Sequence, residues 1–258
     1  MSKIDHTFNV LKNKGQSALI PFIMAGDPNI ETTEALVLKM AEAGADIIEL
    51  GVPFSDPLAD GPTIQKAAQR ALDEGVTLKK VIELVAELRL TSQIPIILMT
   101  YYNPVFKYGE ERFAHDAAAA GVDGIIVPDL PPDEADNLIK HSRKSGLDTI
   151  FLLAPTSTDS RIQKVSRAST GFIYYVSITG ITGAKLSLDA SLESHIARIR
   201  KVTGKPVAVG FGISTPEEAS AISRYADGVI VGSAIVKRVE DPDEELRKYL
   251  LSLRTAIQ

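Results

Sequence analysis

The chain has 258 residues, with 28 Lys and Arg against 33 Asp and Glu, for a formal charge of −5. It has no cysteine, which excludes disulfides, zinc–thiolate sites, iron–sulfur clusters and thiol nucleophiles together. The acidic balance argues against a general nucleic-acid binder. The first ten residues alternate charged and apolar groups and lack the apolar core of a signal peptide. The longest uncharged runs, residues 90–106 and 168–184, are interrupted by Pro, Gly, Ser and Thr, so neither reads as a membrane span. These features give the expectation of a cytoplasmic protein with no membrane or nucleic-acid partner.

In chain order, Ile4, Phe8 and Leu11 share one face of a predicted helix over residues 1–15, which Gly15 ends. Eight short apolar runs follow, at residues 18–24, 46–50, 94–99, 123–127, 148–153, 171–177, 206–210 and 227–231. They are rich in Ile, Val, Leu and Phe and bounded by Gly, Pro or Asp, as strands are. Amphipathic segments alternate with them. Predicted helices cover 31–42 after an Asn29 cap, 63–72, 78–90, 110–120, 133–144, 160–167, 192–202, 216–223 after a Thr215 cap, and 243–253. Alternating strands and helices imply a parallel sheet covered on both faces. Eight such units in about 250 residues predict a single-domain (β/α)8 TIM barrel over 1–258, with an extra N-terminal helix. An open doubly wound sheet is disfavoured, because the first strand leads into Met24-Ala25-Gly26-Asp27-Pro28 and not a G-x-G-x-x-G turn.

Such barrels place their chemistry at the C-terminal ends of the strands. Glu49 ends the second strand on the same face as Ile47, opposite Ile48 and Leu50, and burial there should raise its pKa. Residues 51–62 form a long connection with three prolines and two carboxylates, Asp56 and Asp60, which reads as a binding loop or lid. On the sixth strand, Tyr174 and Tyr175 face opposite ways, and periodicity does not say which points inward. A Gly-, Ser- and Thr-rich stretch over 177–190 reads as a second active-site loop. The turns after strands seven and eight carry Gly210, Gly212 and Gly232-Ser233, where these barrels recurrently bind phosphate. The loop after strand six adds Thr182 and Gly183. All four histidines, His6, His115, His141 and His195, fall outside the strands, so no metal site is expected. No strand contains lysine, which disfavours Schiff-base chemistry and leaves carboxylates, with a tyrosine, for acid–base work.

The stretch from Glu49 through Gly51-Val52-Pro53-Phe54-Ser55-Asp56-Pro57-Leu58-Ala59-Asp60-Gly61-Pro62 closely resembles the signature of the tryptophan synthase alpha subunit family. So do residues 21–28, 127–131, 209–213 and 227–234, and the resemblance runs from about Ser17 to the last helix. It implies a carbon–carbon lyase that cleaves indole-3-glycerol phosphate to indole and glyceraldehyde 3-phosphate. The implied roles are Glu49 as acid–base, Asp60 as acceptor of the indole N–H, and Tyr174 as the active-site tyrosine. Phe22, Leu98 and Phe211 would wall the indole; Thr182, Gly183, Gly212, Gly232 and Ser233 would hold the phosphate end. The family further implies no cofactor in this chain, a beta subunit bearing pyridoxal phosphate (PLP) in an α2β2 heterotetramer, and Asp56 and Pro57 at its interface. Three rival readings are an autonomous lyase without a partner, another phosphosugar barrel such as an isomerase or epimerase, and a barrel that only binds phosphate as a regulatory subunit.

Overall fold

The computed structural model describes residues 1–176, 190–210, 212–239, 241 and 243–258. Among them the chain runs α1 (Lys3–Lys14), β1 (Ala18–Met24), α2 (Ile30–Glu42), β2 (Ile48–Gly51), α3 (Pro62–Asp73), α4 (Leu78–Leu88) and β3 (Ile96–Met99). It continues through α5 (Tyr102–Tyr108), α6 (Glu110–Ala120), β4 (Gly124–Ile126), α7 (Asp136–Ser145), β5 (Asp148–Ile150) and β6 (Leu152–Leu153). The remainder is α8 (Asp159–Ala168), β7 (Ile173–Val176), α9 (Ala190–Val202), β8 (Val207–Gly210), α10 (Pro216–Ser223), β9 (Gly228–Val231), α11 (Ser233–Val236) and α12 (Asp243–Ala256).

All pairings are parallel, in the order β5-β4-β3-β2-β1-β9-β8-β7-β6. The two ends of that order are consecutive in the chain and separated by Phe151 alone, so the sheet comes round on itself as a (β/α)8 barrel. The predicted fifth strand is therefore one barrel position in two pieces. β5 pairs with β4 and β6 with β7, and the chain passes from one neighbour to the other at Phe151.

Two apolar layers follow from strand alternation. Ile20, Ile47, Ile97, Ile126, Ile150, Tyr174, Ala208 and Ile230 pack together inside the barrel. Ile48, Leu50, Leu98, Tyr175 and Val209 join the layer between strands and helices. At the N-terminal end, Ile4, Phe8 and Leu11 of α1 enter the inner cluster, with Phe8 5.5 Å from the Phe172 ring. A reciprocal capping box between Ser2 and Asp5 starts this helix, as an isolated twelve-residue helix needs.

Several strands begin one to two residues later than the apolar pattern predicts, because the preceding aspartates have another task. Asp46 accepts the Leu19 N–H at 2.8 Å, Asp123 the Ile96 N–H at 2.9 Å, and Asp227 the Val207 N–H at 2.8 Å. Each also meets an arginine: Arg254 at 2.6 Å, Arg89 at 2.7 Å and Arg200 at 2.9 Å, respectively. These carboxylates fasten neighbouring strands at their N-terminal ends, which is the stability face of such a barrel. α5 has no counterpart among the predicted helices. Pro104 is the third residue of that helix, in the first turn, where its missing N–H breaks no intrahelical bond. No described helix is long and apolar enough to cross a membrane.

Candidate active site

The C-terminal end of the barrel opens into a cavity of about 680 Å³. Glu49, Asp60, Tyr174, Phe22, Met99, Gly212, Gly232 and Ser233 all line it, together with Ile213, Ser214, Lys237 and Arg238. A larger but open groove of about 950 Å³ crosses Glu111, His115 and His141 between α6 and α7, away from the strand ends.

Glu49 sits on β2 in register with Phe22 of β1 and Ile97 of β3. Alternation turns its side chain into the barrel with Ile47, as the sequence predicts. It is 1% exposed, and neither carboxylate oxygen has a hydrogen-bond partner among the described residues. Loss of hydration, reinforced by the negative charge of Asp60, pushes its pKa up to about 8. A carboxyl in this state carries a proton at neutral pH and has no hydrogen-bond partner for it among the described residues.

Asp60 lies near the end of the 51–62 loop. Its backbone N–H donates to the Pro57 carbonyl at 3.1 Å, and its carbonyl accepts from the Gln65 amide at 2.9 Å, which sets the loop against the first turn of α3. Burial raises its pKa; a hydrogen bond from the Tyr101 hydroxyl opposes that rise. Tyr101, beyond the end of β3, was not singled out in the sequence, because nothing in strand periodicity reaches past the strand.

Tyr174 settles the choice left open by periodicity. It is buried inside the barrel and lines the cavity, whereas Tyr175 points to the helices and its hydroxyl meets His195 Nδ1 at 3.0 Å. Burial and the charges of Glu49 and Asp60 hold the Tyr174 phenol well above its usual pKa, so it stays protonated. Two glycines make room for the inward side chains. A Cβ on Gly51 would stand 2.6 Å from Phe22 Cζ, and one on Gly210 would overlap the Tyr174 hydroxyl.

The expected wall residue Leu98 is corrected. It is fully buried in the outer layer with Leu50, its register partner, and does not line the cavity. Met99, one residue on and therefore on the opposite face, lines it instead. At the far end of the cavity, Gly212 has a φ of +79°, and Gly232-Ser233 opens the short α11. Thr182, Gly183 and Phe211, and the 177–190 loop up to residue 189, lie outside the described residues. Asp56 and Pro57 are in the 51–62 loop away from the cavity; Asp56 is exposed and accepts the Ser55 hydroxyl at 2.6 Å. Among the described residues, no group of three His, Asp or Glu stands close enough to hold a metal ion.

A family model described as tryptophan synthase alpha chain matches residues 8–258. The chain belongs to the tryptophan synthase alpha chain family. A tryptophan synthase alpha chain from Geobacter sulfurreducens is 53% identical over 262 residues, covering 100% of this chain and 99% of that one. One from Picosynechococcus is 50% identical over 263 residues, covering both chains in full. The solved tryptophan synthase subunit alpha from Legionella pneumophila superposes with a TM-score of 0.92 at 40% identity, covering 100% of this chain and 98% of that one. A Mycobacterium tuberculosis tryptophan synthase structure gives 0.93 at 39%, with 99% and 98% covered. Tryptophan synthase alpha chains are carbon–carbon lyases that cleave indole-3-glycerol phosphate, and this chain is one of them. An isomerase, an epimerase or a merely regulatory barrel is thereby set aside.

Proposed function

We propose that Glu49, Asp60 and Tyr174 carry out the cleavage within the 680 Å³ cavity, with the substrate's phosphate at the Gly212 and Gly232-Ser233 end. Glu49 donates its proton to indole C3, the carbon bearing the glycerol chain. The positive charge this leaves on the ring nitrogen is met by Asp60, which accepts the N–H. Glu49, now a carboxylate, or a water it polarises, takes the proton from the side-chain hydroxyl next to C3. The O–H electrons become the aldehyde C=O, the C–C bond breaks, and its electrons restore the aromatic ring. One proton enters and one leaves. The protonated indole is the electron sink, so the chemistry asks for no cofactor in this chain. In this reading Tyr174, which lines the same cavity and stays protonated, hydrogen-bonds the substrate. Phe22 and Met99 supply apolar walls.

The observation that carries this reading is Glu49: a buried carboxyl with no hydrogen-bond partner among the described residues and a pKa of about 8, lining the same cavity as Gly212 and Ser233. A general acid works best with a pKa near the working pH. The phosphate end has helix and turn N–H groups and the Ser233 hydroxyl, and Lys237 and Arg238 line the same cavity. Thr182, Gly183 and Phe211 complete the proposed set on the family pattern alone. Incubation with indole-3-glycerol phosphate, followed by optical detection of indole, tests the assignment in wild type and in Glu49→Gln.

The family implies a beta partner. We infer a PLP-bearing beta subunit, an α2β2 assembly and a cytoplasmic setting. Supporting the docking face are apolar side chains left in solvent at the strand-end side: Leu58, 92% exposed beside Asp56 and Pro57, and Phe106, 65% exposed on α5. An autonomous lyase is the alternative outcome, and turnover with and without a beta subunit separates the two.

A further inference from the structure

The Tyr101 hydroxyl makes two hydrogen bonds to the loop that carries Asp60. It accepts the Ala59 N–H at 2.9 Å and donates to Asp60 Oδ2 at 3.1 Å. The tyrosine is itself fixed. It is 5% exposed, it stands immediately before α5, and its ring packs on Phe54 with centroids 5.3 Å apart. Phe54 and Ala59 belong to the two limbs of the 51–62 loop, so one aromatic side chain touches both.

A phenol has one proton and two acceptor lone pairs. The Ala59 N–H points at the oxygen and occupies a lone pair, so the phenol proton is left for Asp60. A donor on a carboxylate favours its ionised form, against the burial that favours the neutral one. The bond engages Oδ2, so Oδ1 is the oxygen left for another donor.

We propose that Tyr101 is a positioning residue for the cleavage: it fixes the Asp60 carboxylate through Oδ2, so that Oδ1 faces the N–H of the substrate ring. This rests on the reading of Asp60 as the N–H acceptor. Tyr101 is absent from the cavity lining, so it acts through Asp60 and not by touching the substrate.

The test uses the full chain, with the beta subunit where that is needed for turnover, and compares wild type, Tyr101→Phe, Asp60→Asn and the double variant. Tyr101→Phe keeps the ring and its packing on Phe54. Loss of one hydrogen bond to a charged group should lower kcat about 10- to 100-fold. It should also move the acid limb of kcat/KM to higher pH, because Asp60 becomes harder to ionise. Titration of the substrate phosphate is common to all variants and cancels in the comparison. Binding of glycerol 3-phosphate, which reports the phosphate end alone, should stay within about twofold. The double variant should be no slower than Asp60→Asn.

Wild-type kcat with an unmoved acid limb in Tyr101→Phe would overturn the proposal. So would a full further loss from Tyr101→Phe in the Asp60→Asn background, since the hydroxyl would then act elsewhere. Wild-type turnover in Asp60→Asn would instead sink the reading of Asp60 itself. Should Tyr101→Phe fail to fold, 3,5-difluorotyrosine at position 101 provides a stronger donor of nearly the same shape. The acid limb must then move to lower pH, and its failure to move counts against the proposal.

Discussion

The Tyr174 hydroxyl occupies the space that a Cβ on Gly210, the last residue of the neighbouring strand β8, would need. The tyrosine can lie beside Glu49 only because residue 210 has no side chain. Gly210→Ala should therefore push the phenol toward the cavity. Overpacking of this kind costs about 1–3 kcal/mol, and at the reacting centre it should lower kcat/KM about tenfold or more. Gly51→Ala should do the same through Phe22. Steady-state kinetics with circular dichroism checks both; unchanged kinetics in a folded Gly210→Ala chain would show that Tyr174 has slack.

Replacement of Glu49 by Gln keeps the shape and removes the transferable proton. Cleavage should fall by about 10²–10⁴, the usual worth of a general acid–base. Affinity for glycerol 3-phosphate should hold, because the phosphate end of the cavity is untouched. Loss of ligand binding in this variant would point to a structural role for Glu49.

The rate should also depend on pH in a defined direction. Glu49 must be protonated to donate, so kcat/KM should decline above about pH 8, where the free enzyme loses that proton. Stability follows the same group. The folded pKa stands above the ordinary value of 4.5, so the native state holds a proton that the unfolded chain releases. This contribution is fully present below about 4.5 and is lost as pH rises to about 8. Glu49→Gln should therefore be more stable than wild type at pH 9, by on the order of a few kcal/mol, with the difference shrinking toward pH 5. Urea melts at the two pH values measure it, and a pH-independent difference would count against a buried acid.

Leu98 and Met99 should separate cleanly. Leu98→Ala empties a fully buried site and should cost about 2–5 kcal/mol of stability, with little change in KM. Met99→Ala enlarges the cavity and should raise KM for indole-3-glycerol phosphate while stability changes less. The reverse pattern would restore Leu98 as the wall residue.

Asp56 is exposed on the 51–62 loop, and the proposed partner contact predicts a phenotype only in the complex. Asp56→Ala should leave the isolated chain's turnover unchanged and weaken its activation by a beta subunit several-fold, as loss of a contact worth about 1 kcal/mol does. Titration of the beta subunit against initial rate decides it, and equal activation would end that role for Asp56.

The barrel was legible because its signal is repeated: each apolar run between Gly or Asp punctuation is one barrel position, the fifth of them split at Phe151, and β1 spans the residues the pattern assigns. Glu49 was legible too, since a charge ending an otherwise apolar strand is conspicuous and its face follows from Ile47. Leu98 is assigned as a wall on the family resemblance alone; the register pairing of Glu49 with Ile97 puts Ile97 and Met99 on the inward face and Leu98 on the other. The inward tyrosine needed the same kind of information, which the family motif provided. Tyr101 and α5 lie past a strand end, where neither period applies. The aspartates at 46, 123 and 227 look like strand starts in one dimension, and only neighbouring strands reveal that they bind across.

The opposed pairs Leu98–Met99 and Tyr174–Tyr175 carry a practical consequence. In each, one peptide unit divides a side chain packed in the outer layer from one that lines the cavity. An engineer can harden this enzyme by redesigning odd or even positions on a strand while the chemistry stays put, and can retune substrate preference on the other set without loosening the scaffold.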